Sequence, residues 1–153
     1  MDVVILLGSK SDLDFAKRIG DALDGFNVEY CFRVASAHKT PQKVLQILED
    51  YQNVVYITVA GRSNALSGFV DANTTSPVIA CPPYSSKFGG MDVLSSLRMP
   101  SGVAPGVVLE PENAALMASK ILAVKSPEIR EKIENTQKIA SDKLESADSE
   151  LEE

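Results

Sequence analysis

Val3-Val4-Ile5-Leu6-Leu7-Gly8-Ser9-Lys10-Ser11-Asp12 runs five apolar residues straight into a polar turn. A strand with one wet face alternates apolar and polar side chains, whereas a strand covered on both faces has no reason to. The unbroken run therefore predicts a strand inside a parallel sheet, with helices on either side. Ser11 is a suitable helix N-cap, and Asp14, three residues later, completes a pattern like a capping box. Phe15, Ile19, Ala22, Leu23 and Phe26 then recur at helical spacing, with Gly25 as the stop.

The alternation of strand and helix continues outward from this unit. Val28–Val34 has the composition of a second strand, and the turn Ser36–Pro41 leads into a helical stripe of Val44, Leu45, Leu48 and Tyr51. Val54–Val59 reads as a third strand, followed by the turn Ala60–Asn64 and a short helix or irregular segment to about Ala72. Pro77–Cys81 is a short fourth strand stopped by Pro82-Pro83, with a loop at Tyr84–Gly90, a short helix at Met91–Leu97 and a loop at Met99–Gly102. Gly106–Leu109 is the fifth strand, and Pro111 opens a helix through Ala114, Ala115, Met117, Ala118, Ile121 and Leu122. Such alternation implies right-handed crossovers. The expected fold is α/β: a three-layer α/β/α sandwich, flavodoxin-like, with a doubly wound parallel sheet of about five strands plus a C-terminal helix. Residues 1–123 form the α/β domain, and 124–153 form an amphipathic, acidic helical tail packing on the same domain or on a neighbouring subunit. The tail has Ser126 as N-cap, Pro127 at the first helical position, and a thin stripe of Ile129, Ile133, Ala140, Leu144 and Leu151.

At 153 residues the chain suits one domain, and its 44% apolar and 24% charged content is ordinary for a globular protein. The net charge of −6 sits unevenly: nine acids face five bases from Val124 onward, against twelve and ten before it. No basic stripe offers a nucleic-acid surface. No apolar run is long enough for a bilayer, and the N-terminus enters a strand with no basic leader, so no membrane partner and a cytoplasmic location are expected. Cys31 and Cys81 are far apart in apolar surroundings and read as free thiols.

In a doubly wound sheet, ligands bind beyond the carboxyl ends of the strands near the switch in strand order. The turns Gly8–Asp12, Ser36–Pro41 and Gly61–Asn64 should therefore face one another across a crevice. They offer the hydroxyls of Ser9, Ser11, Ser36 and Ser63, the backbone N–H groups of helix starts and the Lys39 cation, a receptacle suited to phosphate. Asp12 adds a carboxylate suited to sugar hydroxyls. His38, the only histidine, can take and give a proton near neutrality. Each residue also has a plainer reading taken singly: the serines as helix caps, Asp12 as a helix-dipole partner, Lys39 as a solvated cation, Arg62 as a subunit contact and His38 as a polar loop residue. The turns lack the G-x-x-x-x-G-K-[ST] loop, the G-x-G-x-x-G fingerprint and a nucleophile elbow, and one histidine with two separated cysteines builds no common zinc site. The residues thus point to a metal-free pocket for a small phosphorylated molecule, with one proton-transfer group.

As a set, Gly8-Ser-Lys-Ser-Asp12, Ser36-Ala-His-Lys-Thr-Pro41 and Met99-Pro-Ser-Gly102 resemble the PurE family of purine biosynthesis over Val3 to about Leu122. The resemblance implies a carboxylase or mutase acting on 5-aminoimidazole ribonucleotide and its carboxylated forms, on the fold expected above and without a cofactor. It also implies a homo-oligomer, an octamer or else a tetramer. Class I members, which are mutases, carry S-A-H-R-T-P and a later G-G-A-A-H with a second histidine. Here Lys39 replaces that arginine, and Ala60–Leu66, Cys81-Pro-Pro83 and Ser95-Ser-Leu-Arg98 resemble class II, the ATP-independent carboxylases that use carbon dioxide directly. The resemblance assigns His38 as the catalytic residue and Ser9, Asp12, Ser36, Lys39, Gly61 and Ser63 as substrate-binding. Asp12 is expected on the ribose, and Ser36 and Lys39 at the phosphate. Ser11 is a further phosphate candidate, and the backbone N–H groups around Gly61–Ser63 and Asn64 are candidates for holding the carboxylate or carbon dioxide. The competing readings are the class I mutase on the same scaffold, a nucleotide-monophosphate sensor without catalysis and, weaker, a flavin binder.

Overall fold

In the computed structural model, which describes residues 1–151, five strands form one all-parallel sheet in the order β2-β1-β3-β4-β5. They are β1 (Val3–Leu7), β2 (Tyr30–Val34), β3 (Val55–Val59), β4 (Val78–Ala80) and β5 (Gly106–Val107). The helices are α1 (Leu13–Gly25), α2 (Pro41–Asp50), α3 (Ala65–Asp71), α4 (Pro111–Ala123) and α5 (Pro127–Ser149). Every residue of β1 and of β3 is buried. Their side chains alternate between two cores: Val3, Ile5, Leu7, Val55, Ile57 and Val59 pack with α1, α4 and the start of α5, whereas Val4, Leu6 and Tyr56 pack with α2 and α3. Two helical layers on one sheet are what an unbroken apolar strand requires. The register stacks Ile5, Ile57 and Ile79 side by side across the middle of the sheet. This is the flavodoxin-like three-layer sandwich, with its order reversing at β1, between β2 and β3.

Several boundaries differ from the sequence reading. Val28 lies outside β2, which begins at Tyr30: its N–H donates to the Leu23 carbonyl and so closes the turn after α1, with Asn27 in the left-handed conformation (φ 56°). β3 begins at Val55, one residue later than expected. β4 is shorter than Pro77–Cys81, because Pro77 has no N–H, although its carbonyl still accepts from Tyr56 N–H at 2.9 Å. β5 is only two residues, although Val108 N–H adds one further bond to the Ala80 carbonyl. Lys87–Ser96 forms tight helical turns, interrupted by left-handed Phe88, Gly89 and Gly90, in place of the loop and short helix expected there.

The tail begins as read, with Ser126 Oγ accepting from Ile129 N–H. Ile129 and Ile133 pack on the core, and an Arg130 guanidinium N–H donates to the Ala123 carbonyl at 3.0 Å. From Glu134 to Leu151 every residue is exposed. No helix among the described residues is long and apolar enough to cross a membrane.

Candidate functional site

At the carboxyl edge of the sheet, three strand-end turns surround a crevice of about 580 Å³. The backbone ladder continues one step past the strands on both sides of β1. Ala35 N–H donates to the Leu7 carbonyl at 3.0 Å, and Gly8 N–H donates to the Val59 carbonyl at 2.9 Å. The first turn is thereby held against the second and the third. A Cβ on Gly8 would lie 3.2 Å from Ala60 Cβ, a close approach that suits glycine at this contact.

The first turn differs in detail from the reading that made Ser11 a helix cap. Lys10–Asp12 forms a 3-10 turn with Ser9 as its cap, since Ser9 Oγ accepts from Ser11 N–H at 3.3 Å and lies 2.8 Å from Ser11 Oγ. α1 begins only at Leu13, and Asp12 occupies its N-cap position without a capping bond from its side chain. The Asp12 carboxylate is therefore left for the crevice that it lines. Asp14 pairs with Lys17 Nζ at 3.1 Å instead of closing a capping box.

The second turn closes on itself. Thr40 N–H donates to the Ser36 carbonyl, Ser36 N–H donates to Thr40 Oγ1, both at 2.9 Å, and Ser36 Oγ accepts from Lys39 N–H at 3.3 Å. Pro41, whose missing N–H costs nothing at the first helical position, then starts α2. This small folded loop brings Ser36, Ala37, His38 and Lys39 to the crevice together.

The third turn contributes Ala60, Gly61, Arg62 and Ser63. Arg62 holds a left-handed backbone (φ 59°), its N–H donates to Asp92 Oδ2 at 2.9 Å, and Asn64 N–H donates to Ser95 Oγ at 2.9 Å. The amides of Gly61 and Ser63 have no acceptor among the described residues. Asn64 is not part of the crevice lining. It is 2% exposed, its Nδ2 donates to Ser96 Oγ at 2.8 Å, and its Oδ1 caps α3 by accepting from Ser67 N–H. Its side chain is structural, and its backbone amide is already used. The loop Met99–Gly102 does not line the crevice either: Met99 and Pro100 line a separate, mainly apolar hollow with Phe69 and Val103, and Ser63 is common to the two.

Eight of the nine residues singled out from the sequence thus share one crevice: Ser9, Ser11, Asp12, Ser36, His38, Lys39, Gly61 and Ser63. Arg62 joins them, whereas the sequence left it open as a subunit contact. Burial pushes the Asp12 carboxyl above its ordinary pKa, opposed by the Ser11 hydrogen bond and by the positive charge of Arg62. With Asp12 as the one acid and Lys39 and Arg62 as bases, the lining carries a positive balance that favours an anion. No group of three or more His, Cys, Asp and Glu side chains gathers to hold a metal ion among the described residues.

Residues 2–143 match the AIR carboxylase family model. A phosphoribosylaminoimidazole carboxylase from Archaeoglobus fulgidus is 58% identical over 153 residues, covering 99% of this chain and 85% of that protein. The bifunctional phosphoribosylaminoimidazole carboxylase/phosphoribosylaminoimidazole succinocarboxamide synthetase of Rattus norvegicus is 42% identical over 126 residues, covering 80% of this chain and 30% of its own length. The crystal structure of Treponema denticola PurE superposes with a TM-score of 0.95 at 46% identity, covering 99% of this chain and 98% of that one.

The raised pKa of Asp12 makes a prediction about stability. A carboxyl whose folded pKa lies above its unfolded value destabilises the folded state increasingly as pH rises through that interval, and the penalty is complete above it. Asp12→Asn should therefore unfold at no lower a denaturant concentration than wild type at neutral pH, with any advantage vanishing below about pH 4. A clearly less stable variant at neutral pH would contradict the burial argument.

Proposed function

The chain belongs to the AIR carboxylase family, and from that premise we propose that it carboxylates 5-aminoimidazole ribonucleotide directly with carbon dioxide, using His38 as its only proton carrier. The product is the 4-carboxy ribonucleotide of purine biosynthesis. The observation that carries this reading is that His38 lines the crevice and that the chain contains no second histidine.

The chemistry suits these residue types. The aminoimidazole ring is an enamine, so ring carbon C4 is nucleophilic. C4 forms a bond to the carbon of carbon dioxide, one C=O π pair moves onto oxygen, and the exocyclic nitrogen becomes part of an iminium. The adduct then has a tetrahedral C4 carrying both hydrogen and carboxylate. His38 removes that proton, and the C–H electron pair restores the aromatic ring. In the reverse direction His38 returns the proton to C4 and carbon dioxide leaves. Both directions balance without ATP.

The other residues have roles consistent with their surroundings. Asp12 binds the ribose hydroxyls, because its carboxylate is not spent on capping α1. Ser36 and Lys39 hold the phosphate, assisted by Ser11, with a lysine supplying a point charge to a phosphate dianion. Ser9, Gly61 and Ser63 complete the binding surface. The amides of Gly61 and Ser63 hydrogen-bond the oxygens of carbon dioxide and of the new carboxylate, as donors aimed at developing negative charge. Isotope labelling tests the reaction class. Given the N-carboxyamino isomer in isotopically labelled bicarbonate, the protein should form labelled product, no faster than the isomer breaks down spontaneously. Unlabelled product formed faster than that breakdown would overturn the carboxylase reading in favour of the mutase.

The protein works as a homo-oligomer, expected to be an octamer, in the cytoplasm. Phe88, Met91, Leu94 and Leu97 are all more than half exposed on one segment, and Ile139 and Leu144 are exposed on α5. Apolar surface clustered in this way favours an interface over water. The tail beyond Ile133 packs on a neighbouring subunit, and free Cys31 and Cys81 suit a reducing compartment. Light scattering should give a mass of several chains, and removal of residues 138–153 should reduce it. A single-chain mass for the intact protein would contradict the assembly.

A further inference from the structure

The third turn is held in shape by residues that do not line the crevice. Arg62 is the only non-glycine crevice residue with a left-handed backbone, a conformation that a side chain with a Cβ disfavours. Two residues from the Lys87–Ser96 segment grip the turn at this point. Asp92 Oδ2 accepts from Arg62 N–H at 2.9 Å. Ser95 Oγ accepts from Asn64 N–H at 2.9 Å and lies 3.0 Å from the Arg62 carbonyl and 2.7 Å from the Asp92 carbonyl, so its single proton is shared between those two oxygens. Beneath them, Asn64 Nδ2 donates to Ser96 Oγ.

The consequence is a sorting of four successive amides. Those of Arg62 and Asn64 are consumed by the clip, and those of Gly61 and Ser63 are left without a protein acceptor among the described residues. We propose that Asp92 and Ser95 are positioning residues for carboxylation, locking the Gly61–Asn64 turn so that the Gly61 and Ser63 amides are kept for carbon dioxide and the new carboxylate. This rests on the carboxylase reading above. It also gives a physical reason for two separate sequence segments, Ala60–Leu66 and Ser95–Arg98, to go together: they are halves of one hydrogen-bonded unit. The clip touches only the third turn, so the ribose and phosphate contacts of the first two turns do not depend on it.

Four variants test the assignment in carboxylation assays at varied bicarbonate, with affinity for 5-aminoimidazole ribonucleotide measured by calorimetry. Asp92→Ala and Ser95→Ala should lower kcat/KM for carbon dioxide by about tenfold to a hundredfold while nucleotide affinity stays within about twofold, because misplaced donors weaken only the interactions they make. Asp92→Asn keeps an acceptor oxygen and Ser95→Thr keeps the hydroxyl, so both should recover most of that loss. Alanine variants with wild-type kcat/KM for carbon dioxide, an equal loss of nucleotide affinity, or failure of the Asn and Thr variants to recover would overturn the clip. Wild-type protein that does not carboxylate in the same assay would instead overturn the parent reading, and the clip with it.

Discussion

Two backbone hydrogen bonds beyond the ends of the strands hold the three crevice turns together. The Leu7 carbonyl accepts from Ala35, and the Gly8 N–H donates to Val59, so the peptide after β1 is tied on one side to the second turn and on the other to the third. These bonds exist because β1 lies between β2 and β3 in a parallel sheet, which brings three successive strand ends to one edge. Gly8 completes the constraint, as the first and third turns approach more closely than a larger residue would comfortably allow. A sheet with β1 at its margin could tie its turn to one neighbour only.

The crevice edge carries several features that are unfavourable to folding, and the sandwich beneath it compensates for them. Asp12 keeps a partly desolvated carboxylate. Arg62 keeps a left-handed backbone, at a cost of about 1–2 kcal/mol for a residue with a Cβ. Polar turns crowd together where water would otherwise solvate them. Against this stand a core running through both faces of β1 and β3 and the fully buried alanine face of α4. Each buried Val, Leu or Ile contributes about 1.5–3 kcal/mol relative to exposure, so a few core residues offset the strain at the site. The second turn is closed by its own hydrogen bonds, the third is held by Asp92 and Ser95, and all three turns are seated on this core.

The strands and the shared crevice were legible in the sequence because two-sided burial leaves a continuous apolar signature and parallel topology places the turns together. Local side-chain commitments were less legible. Ser11, Asn64 and the helix caps all fit the same pattern of short polar residues before a helix, and only tertiary contacts decide whether each oxygen serves a cap, a neighbouring turn or a ligand. Asn64 resembles a crevice residue by position, yet its partner Ser96 is 32 residues away along the chain. Asp92 and Ser95 lie in a segment whose left-handed Phe88, Gly89 and Gly90 interrupt any helical period, so no periodicity places it against the third turn. Asn27 took the left-handed position after α1 because the chain needs it two residues beyond Gly25, and asparagine tolerates that conformation.

In the proposed mechanism a single imidazole moves the ring proton in both directions. This is tested most directly by comparing carboxylation, decarboxylation and nucleotide affinity in wild type and His38→Asn, which keeps the polarity of the site and removes its proton carrier. Both rates should fall by about 10²- to 10⁴-fold while affinity for 5-aminoimidazole ribonucleotide changes by no more than about threefold. Near-normal turnover in either direction would show that a group other than His38 moves the proton.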